Sequence, residues 1–248
     1  MIIGYGFVGR AVGNALQTKH RTLIVDPKFT ENKISDFLES DAAIVCVPTP
    51  GDDCDITEVL NVIEQIPVNV PVLIKSTVTP ERLAQIIVQF PEHKICYSPE
   101  FLRAVNSDKD FATQKFMIIG GDDPNHFWRT LFQTVLLDCK LYFECSFAEA
   151  SMAKYTVNSF LATKVAFFNQ IYDMCKENGA DYEIVRQMIS HDARIGGSHT
   201  LVPGLDGVRG FGGACFPKDT KSFLEYSKNL NKPITILEET VKYNDKIR

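Results

Sequence analysis

Through roughly the first 120 residues, short apolar runs alternate with amphipathic stretches. That alternation is the pattern of strands and helices winding a parallel sheet. It predicts strands at residues 1–3, 22–26, 42–47, 70–76, 94–98 and 116–120, six in all. The first is short, because the chain starts three residues before Gly4. From residue 148 the period becomes helical, in "AEASMAKYTVNSFLATKVAFFNQIYDMCKENG", with Gly179 as a C-terminal cap. Asp181 then serves as the N-cap of a second helix, and "ITILEETVKYNDKIR" reads as a last one. The change of period predicts two domains, residues 1–146 and 147–248, the second mostly α. No repeat or low-complexity linker interrupts either.

"GYGFVG", residues 4–9, follows the first predicted strand and opens a helix, and the second strand ends at Asp26. Alone, a GxGxxG string is a weak signal. Here the strand, the helix and an acid about 20 residues on are all present. The glycines allow a tight turn and the close approach of a pyrophosphate to the helix N-terminus. Gly4, Tyr5, Gly6, Phe7, Val8 and Gly9 are therefore candidate cofactor contacts, and the fold class is α/β, a doubly wound parallel Rossmann-type sheet followed by a mostly helical central domain. Asp26 would accept both ribose hydroxyls and repel a 2′-phosphate, which favours NAD over NADP. Lys28 is either a cofactor contact or a solvated loop lysine. The competing reading of the whole motif is a glycine-rich turn with no ligand.

Composition narrows the classes further. With 45% apolar and 23% charged residues the chain has the make-up of a soluble globular protein. A net charge of −5 argues against a nucleic-acid or anionic-membrane partner. No apolar run reaches membrane-spanning length and no signal region precedes the glycine motif, so a cytoplasmic protein is expected. Seven scattered cysteines without a CxxC pair or Cys/His cluster read as reduced thiols, with no metal site.

One cysteine stands apart. "RGFGGACFPKDT", residues 209–220, places Cys215 between glycines and Pro-Lys-Asp. Pro217 suits the first turn of a helix, which would set the sulfur at the positive end of a helix dipole with Lys218 close by. The glycines leave room for a substrate. Combined with a dinucleotide site, a nucleophilic thiol suggests aldehyde addition, oxidation of the adduct to a thioester, and hydrolysis. A thiol packed in a tight glycine turn is the alternative.

The loop "GFGGACFPKD" resembles the active-site signature of the UDP-glucose dehydrogenase family, in the UDP-glucose/GDP-mannose dehydrogenase superfamily. "CVPTP" at 46–50, "KSTV" at 75–78, "SPEFLR" at 98–103, "AKYTVNSFLATK" at 153–164 and "RIG" at 194–196 follow in the family's order. The resemblance implies oxidation of the C6 alcohol of a nucleotide sugar to the acid with two NAD. It makes Cys215 the nucleophile, and Lys154 and Asn158, four apart on the long helix, contacts to the reacting oxygen. Glu100 becomes the general base for the water that cleaves the thioester, with Asp219 and Thr77 orienting that water. Pro48, Thr49, Thr77, Cys215 and Lys218 would join the cofactor contacts. Phe101, Leu102, Arg103, Arg194 and the loop of Gly210, Phe211, Gly212 and Gly213 would lie along the substrate, Arg194 across a homodimer interface built on the long helix.

Three departures from the family pattern stand out. The family normally adds a second α/β domain that closes over the UDP end, whereas this sequence stops at "VKYNDKIR". The stretch between Asp26 and Ala42 is short, and Ala104 stands where the family often has a second glutamate. The expected activity is a compact UDP-glucose 6-dehydrogenase. Alternatives are a dehydrogenase of GDP-mannose or UDP-N-acetylmannosamine, a two-electron alcohol dehydrogenase, or an inactive NAD-binding interaction module.

Overall fold

In the computed structural model, which describes residues 1–248, the apolar runs form a seven-stranded sheet. The chain runs β1 (Ile2–Ile3), α1 (Phe7–Gln17), β2 (Ile24–Val25), β3 (Ala43–Val45), α2 (Thr57–Gln65), β4 (Val72–Ile74), α3 (Pro80–Gln89), β5 (Ile95–Tyr97), α4 (Ser107–Ala112), β6 (Phe116–Gly120), α5 (Phe127–Gln133) and β7 (Leu141–Cys145). Four helices follow: α6 (Phe147–Glu177), α7 (Tyr182–Ser190), α8 (Phe216–Asn229) and α9 (Thr235–Ile247).

The strand order is β2-β1-β3-β4-β5-β6-β7. Its direction reverses on either side of β1, so the ends of β1 and β3 form the switch point where such sheets bind ligands. The short stretch after β2 carries only a 3₁₀ turn, Ile34–Phe37. Two features depart from the pattern expected of the sequence. β6 runs antiparallel to β5, with Tyr97 opposite Gly120. The connection between them holds the six-residue α4 and makes no full crossover, and an antiparallel neighbour needs none. The seventh strand, β7, is additional. Its "LYFEC" alternates, yet Leu141 and Phe143 stay exposed, so burial gives it no long apolar run.

The central strands are apolar at every position because both faces are covered. Successive residues serve opposite cores: Ile3, Val45, Ile74 and Tyr97 join the layer of α2 and α3. Ile2, Ile44, Leu73 and Cys96 join Trp128 and Phe132 of α5 on the other side.

The chain divides into two compact units, Met1–Lys154 and Tyr155–Arg248. The division falls within α6 and not at its start. Phe147, Ala150 and Ala153 pack into the first unit's core. Ser151 Oγ also donates to the Val78 carbonyl at 2.7 Å. In the second unit, Tyr155, Phe223, Leu224 and Leu237 form one cluster and Phe168, Cys175 and Tyr182 another. α6 ends where Gly179 takes φ +69°, with Ala180 N–H reaching back to the Cys175 carbonyl. Asp181 Oδ1 then caps α7 through the Glu183 N–H at 2.8 Å. No helix is long and apolar enough to cross a membrane.

Candidate active site

At the switch point the glycines answer to geometry. Gly4 has φ +87°, and a Cβ there would come within 2.7 Å of the Cys46 carbonyl group. A Cβ on Gly9 would strike the Gly4 carbonyl oxygen, whereas one on Gly6 would meet nothing within 4 Å. The turn is thus closed on the protein side and open in front of α1, whose first turn carries no acid. Tyr5, Phe7 and Val8 complete the turn. Asp26 Oδ2 accepts the Tyr5 N–H at 2.6 Å and Oδ1 accepts the Lys28 N–H at 2.8 Å. Each oxygen keeps a lone pair for a ribose hydroxyl. The cradle therefore fits a dinucleotide. Lys28 Nζ lies 5.8 Å from the Phe29 ring centre.

The loops after β3 and β4 are tied to each other. Ser76 Oγ donates to the Val47 carbonyl at 2.6 Å and Thr49 Oγ1 to the Thr77 carbonyl at 2.7 Å. Thr49 has spent its proton, so toward a cofactor it can only accept. Pro48 beside it is exposed.

Glu100 is buried after β5, and its Oε1 is ion-paired with Lys75 Nζ. Lys154 Nζ donates to the main-chain oxygen of Glu100 at 2.5 Å and lies 5.4 Å from the centre of the Phe101 ring. Glu100, Phe101 and Lys154 are thus gathered within the first unit, together with Lys75, a residue of the KSTV motif with no role assigned to it above. Leu102 packs against the other core. Arg103 is not in the cluster: its guanidinium is exposed and pairs twice with Asp110, at 2.6 and 2.9 Å. Asp110, on α4, supplies the charge and the acceptor geometry that hold the Arg103 guanidinium in this local pair.

Cys46, beside Gly4, is a contrasting thiol. Desolvation pushes its pKa up to about 12, with Lys75 lowering it and Glu100 raising it.

In the second unit Cys215 is the N-cap residue of α8, with Pro217 in the first turn. Its carbonyl accepts the Asp219 N–H at 2.8 Å. The positive end of the α8 dipole lies at this residue. Asp219 is buried, with Oδ2 accepting from Asn158 Nδ2 at 2.6 Å and Oδ1 paired with Lys218 Nζ at 2.7 Å. Lys218 therefore serves a carboxylate here, beside its expected cofactor role. The loop before Cys215 hangs on α9: Asn244 accepts the Phe211 N–H at 2.7 Å and donates to the Phe211 carbonyl at 3.1 Å. A Cβ on Gly210 or Gly212 would strike Asn244 or Arg248 respectively, while Gly213, at φ +77°, faces open space. Asn244 gave no sequence signal, being one polar residue of a helix. Arg194 stands apart, exposed and paired with Asp192 at 2.6 and 3.0 Å. The Asp-x-Arg spacing itself foreshadowed this local pair.

A glycine-turn cradle at the switch point of a mostly parallel sheet, followed by a helical unit, is the architecture of a dinucleotide-binding α/β protein. Residues 18–135 match the model of the UDP-glucose/GDP-mannose dehydrogenase family NAD binding domain, and residues 148–246 that of its central domain. The chain belongs to this family. The UDP-glucose 6-dehydrogenase of Rhizobium meliloti is 30% identical over 236 residues, 88% of this chain and 53% of that protein. That of Rickettsia typhi is 29% identical over 230 residues, 88% of this chain and 52% of that one. A UDP-glucose dehydrogenase structure from the archaeon Pyrobaculum islandicum, 25% identical, has a TM-score of 0.84 over 99% of this chain and 67% of that one. The chain spans about half the length of the curated relatives it matches.

Proposed function

We propose that the protein oxidises the C6 alcohol of a nucleotide sugar, UDP-glucose foremost, to the carboxylate with two NAD. The observation that carries this reading is Cys215 at the N-terminus of α8 on its glycine loop, beside the buried Asn158–Asp219 pair. NAD, when bound, would supply the acceptor for two electrons in each of two oxidations at C6. Lys154 and Asn158, one turn apart on α6, stabilise the negative charge that develops on the C6 oxygen. Cys215 sulfur adds to the aldehyde carbon and holds the thiohemiacetal, then the thioester. Glu100 takes a proton from the water that attacks the acyl carbon, the C–S bond breaks, and Cys215 leaves as thiolate. Asp219 and Thr77 orient that water.

The partner is a second copy of the chain. Val157, Phe160, Phe167 and Met174 are exposed along one face of α6, an apolar line of the kind two helices bury together. A dimer by light scattering, lost in Phe160→Asp/Phe167→Asp, is expected; a monomeric wild type would exclude this interface.

The activity is tested by counting NADH formed per UDP-glucose consumed. Two per substrate, abolished by Cys215→Ser, is expected. One per substrate with the cysteine dispensable would mean a two-electron alcohol dehydrogenase. No NADH with UDP-glucose but turnover of GDP-mannose or UDP-N-acetylmannosamine would reassign the substrate.

A further inference from the structure

Lys75 takes no part in the reaction as set out above, yet it is among the most enclosed charges in the first unit, with only 3% of its surface exposed. It follows β4 directly. Its ammonium pairs with Glu100 Oε1, donates to Ser98 Oγ at 3.0 Å, and lies 5.2 and 5.8 Å from the centres of the Phe132 and Phe111 rings. Ser98 is fully buried. Glu100 is therefore gripped twice, its carboxylate by Lys75 and its main-chain oxygen by Lys154. Burying a charge is costly unless a partner and hydrogen bonds offset it, and cores built for stability alone do well with apolar residues instead. A buried lysine here has a positional consequence. With Oε1 held by an ammonium, rotation of the carboxylate is restricted and Oε2 is the oxygen left to act as a base.

We propose that Lys75 is a positioning residue for thioester hydrolysis, holding the Glu100 carboxylate so that Oε2 accepts the proton of the attacking water. This rests on the nucleotide-sugar oxidation proposed above. In the step concerned, the water oxygen bonds to the acyl carbon, its proton passes to Oε2, the C–S bond breaks and Cys215 departs as thiolate. No electron is exchanged with an outside acceptor. Both oxidations precede this step, so a defect in Lys75 leaves them intact and stalls the acyl-enzyme.

The test uses the full chain, NAD and UDP-glucose, with rapid-mixing absorbance and intact-protein mass. Lys75→Met should retain a burst of about two NADH per Cys215, lose about 100-fold in steady-state turnover, and accumulate the acyl adduct on Cys215. Glu100→Gln should behave the same way. The double variant Lys75→Met/Glu100→Gln, which leaves no buried charge unpaired, should hydrolyse its adduct within about twofold of Glu100→Gln, because Lys75 acts through Glu100. This comparison carries the test if Lys75→Met alone does not fold. Turnover of Lys75→Met within twofold of wild type, loss of its burst in a folded protein, or a double variant about tenfold slower than Glu100→Gln overturns the assignment while leaving the function standing. A wild type that forms no NADH with any nucleotide sugar overturns the function, and the assignment with it.

Discussion

Each unit holds one buried carboxylate paired with a lysine, and the two pairs are built differently. In the first, Lys75 and Glu100 come from the ends of different strands, and both side chains are enclosed, at 1% and 5% exposure. In the second, Lys218 and Asp219 are chain neighbours on α8, and the lysine's stem leaves 23% of the side-chain surface in solvent although its ammonium nitrogen is covered. A cation on a partly exposed stem has a short path to water and loses less when its partner goes. One sealed inside a sheet loses nearly everything.

The largest expected effect breaks the pairs one at a time. Glu100→Gln strands a buried ammonium and should cost about 3–5 kcal/mol in urea unfolding, while Asp219→Asn should cost roughly 1–2 kcal/mol. Equal losses would end the distinction. Next comes Ser98→Ala, which removes a hydrogen bond to the Lys75 ammonium and should cost roughly 1.5–3 kcal/mol. A neutral outcome would mean that the ion pair alone holds the lysine.

The smallest effect sharpens the contrast through Cys46. Its pKa is raised, so its contribution to stability is complete below the ordinary thiol value and is lost as pH rises towards about 12. Stability should fall above about pH 9, less steeply in Cys46→Ala. Since Glu100 raises this pKa and Lys75 lowers it, Glu100→Gln should make Cys46 react faster with iodoacetamide at pH 9. Unchanged alkylation would place the thiol outside the reach of the pair.

The same contrast explains what could be read from the chain. Cys215, Lys218 and Asp219 sit in one loop-and-helix stretch, so their grouping was visible as a string, as was the glycine turn with Asp26. Lys75 lay inside a recognised motif, but its partner is brought to it by the pairing of β4 with β5, a tertiary event. Arg103 and Arg194 read as substrate contacts from their motifs, and in the chain by itself each guanidinium rests on a nearby aspartate, a local pairing their motifs did not announce. β7 escaped notice because three of its five residues remain in solvent.

The doubly apolar strands leave a problem that the polar strand ends solve. Where both faces of a strand are oily, sliding it by one residue exchanges one greasy side chain for another, and hydrophobicity alone hardly objects. Alignment must then be indexed from the rim. Gly4 against the Cys46 carbonyl, Ser76 on Val47, Thr49 on Thr77 and Lys75 on Ser98 each fit in one setting. The rim that would bind cofactor and substrate thus doubles as the sheet's vernier, and a mutation there can blur the alignment of strands it never touches.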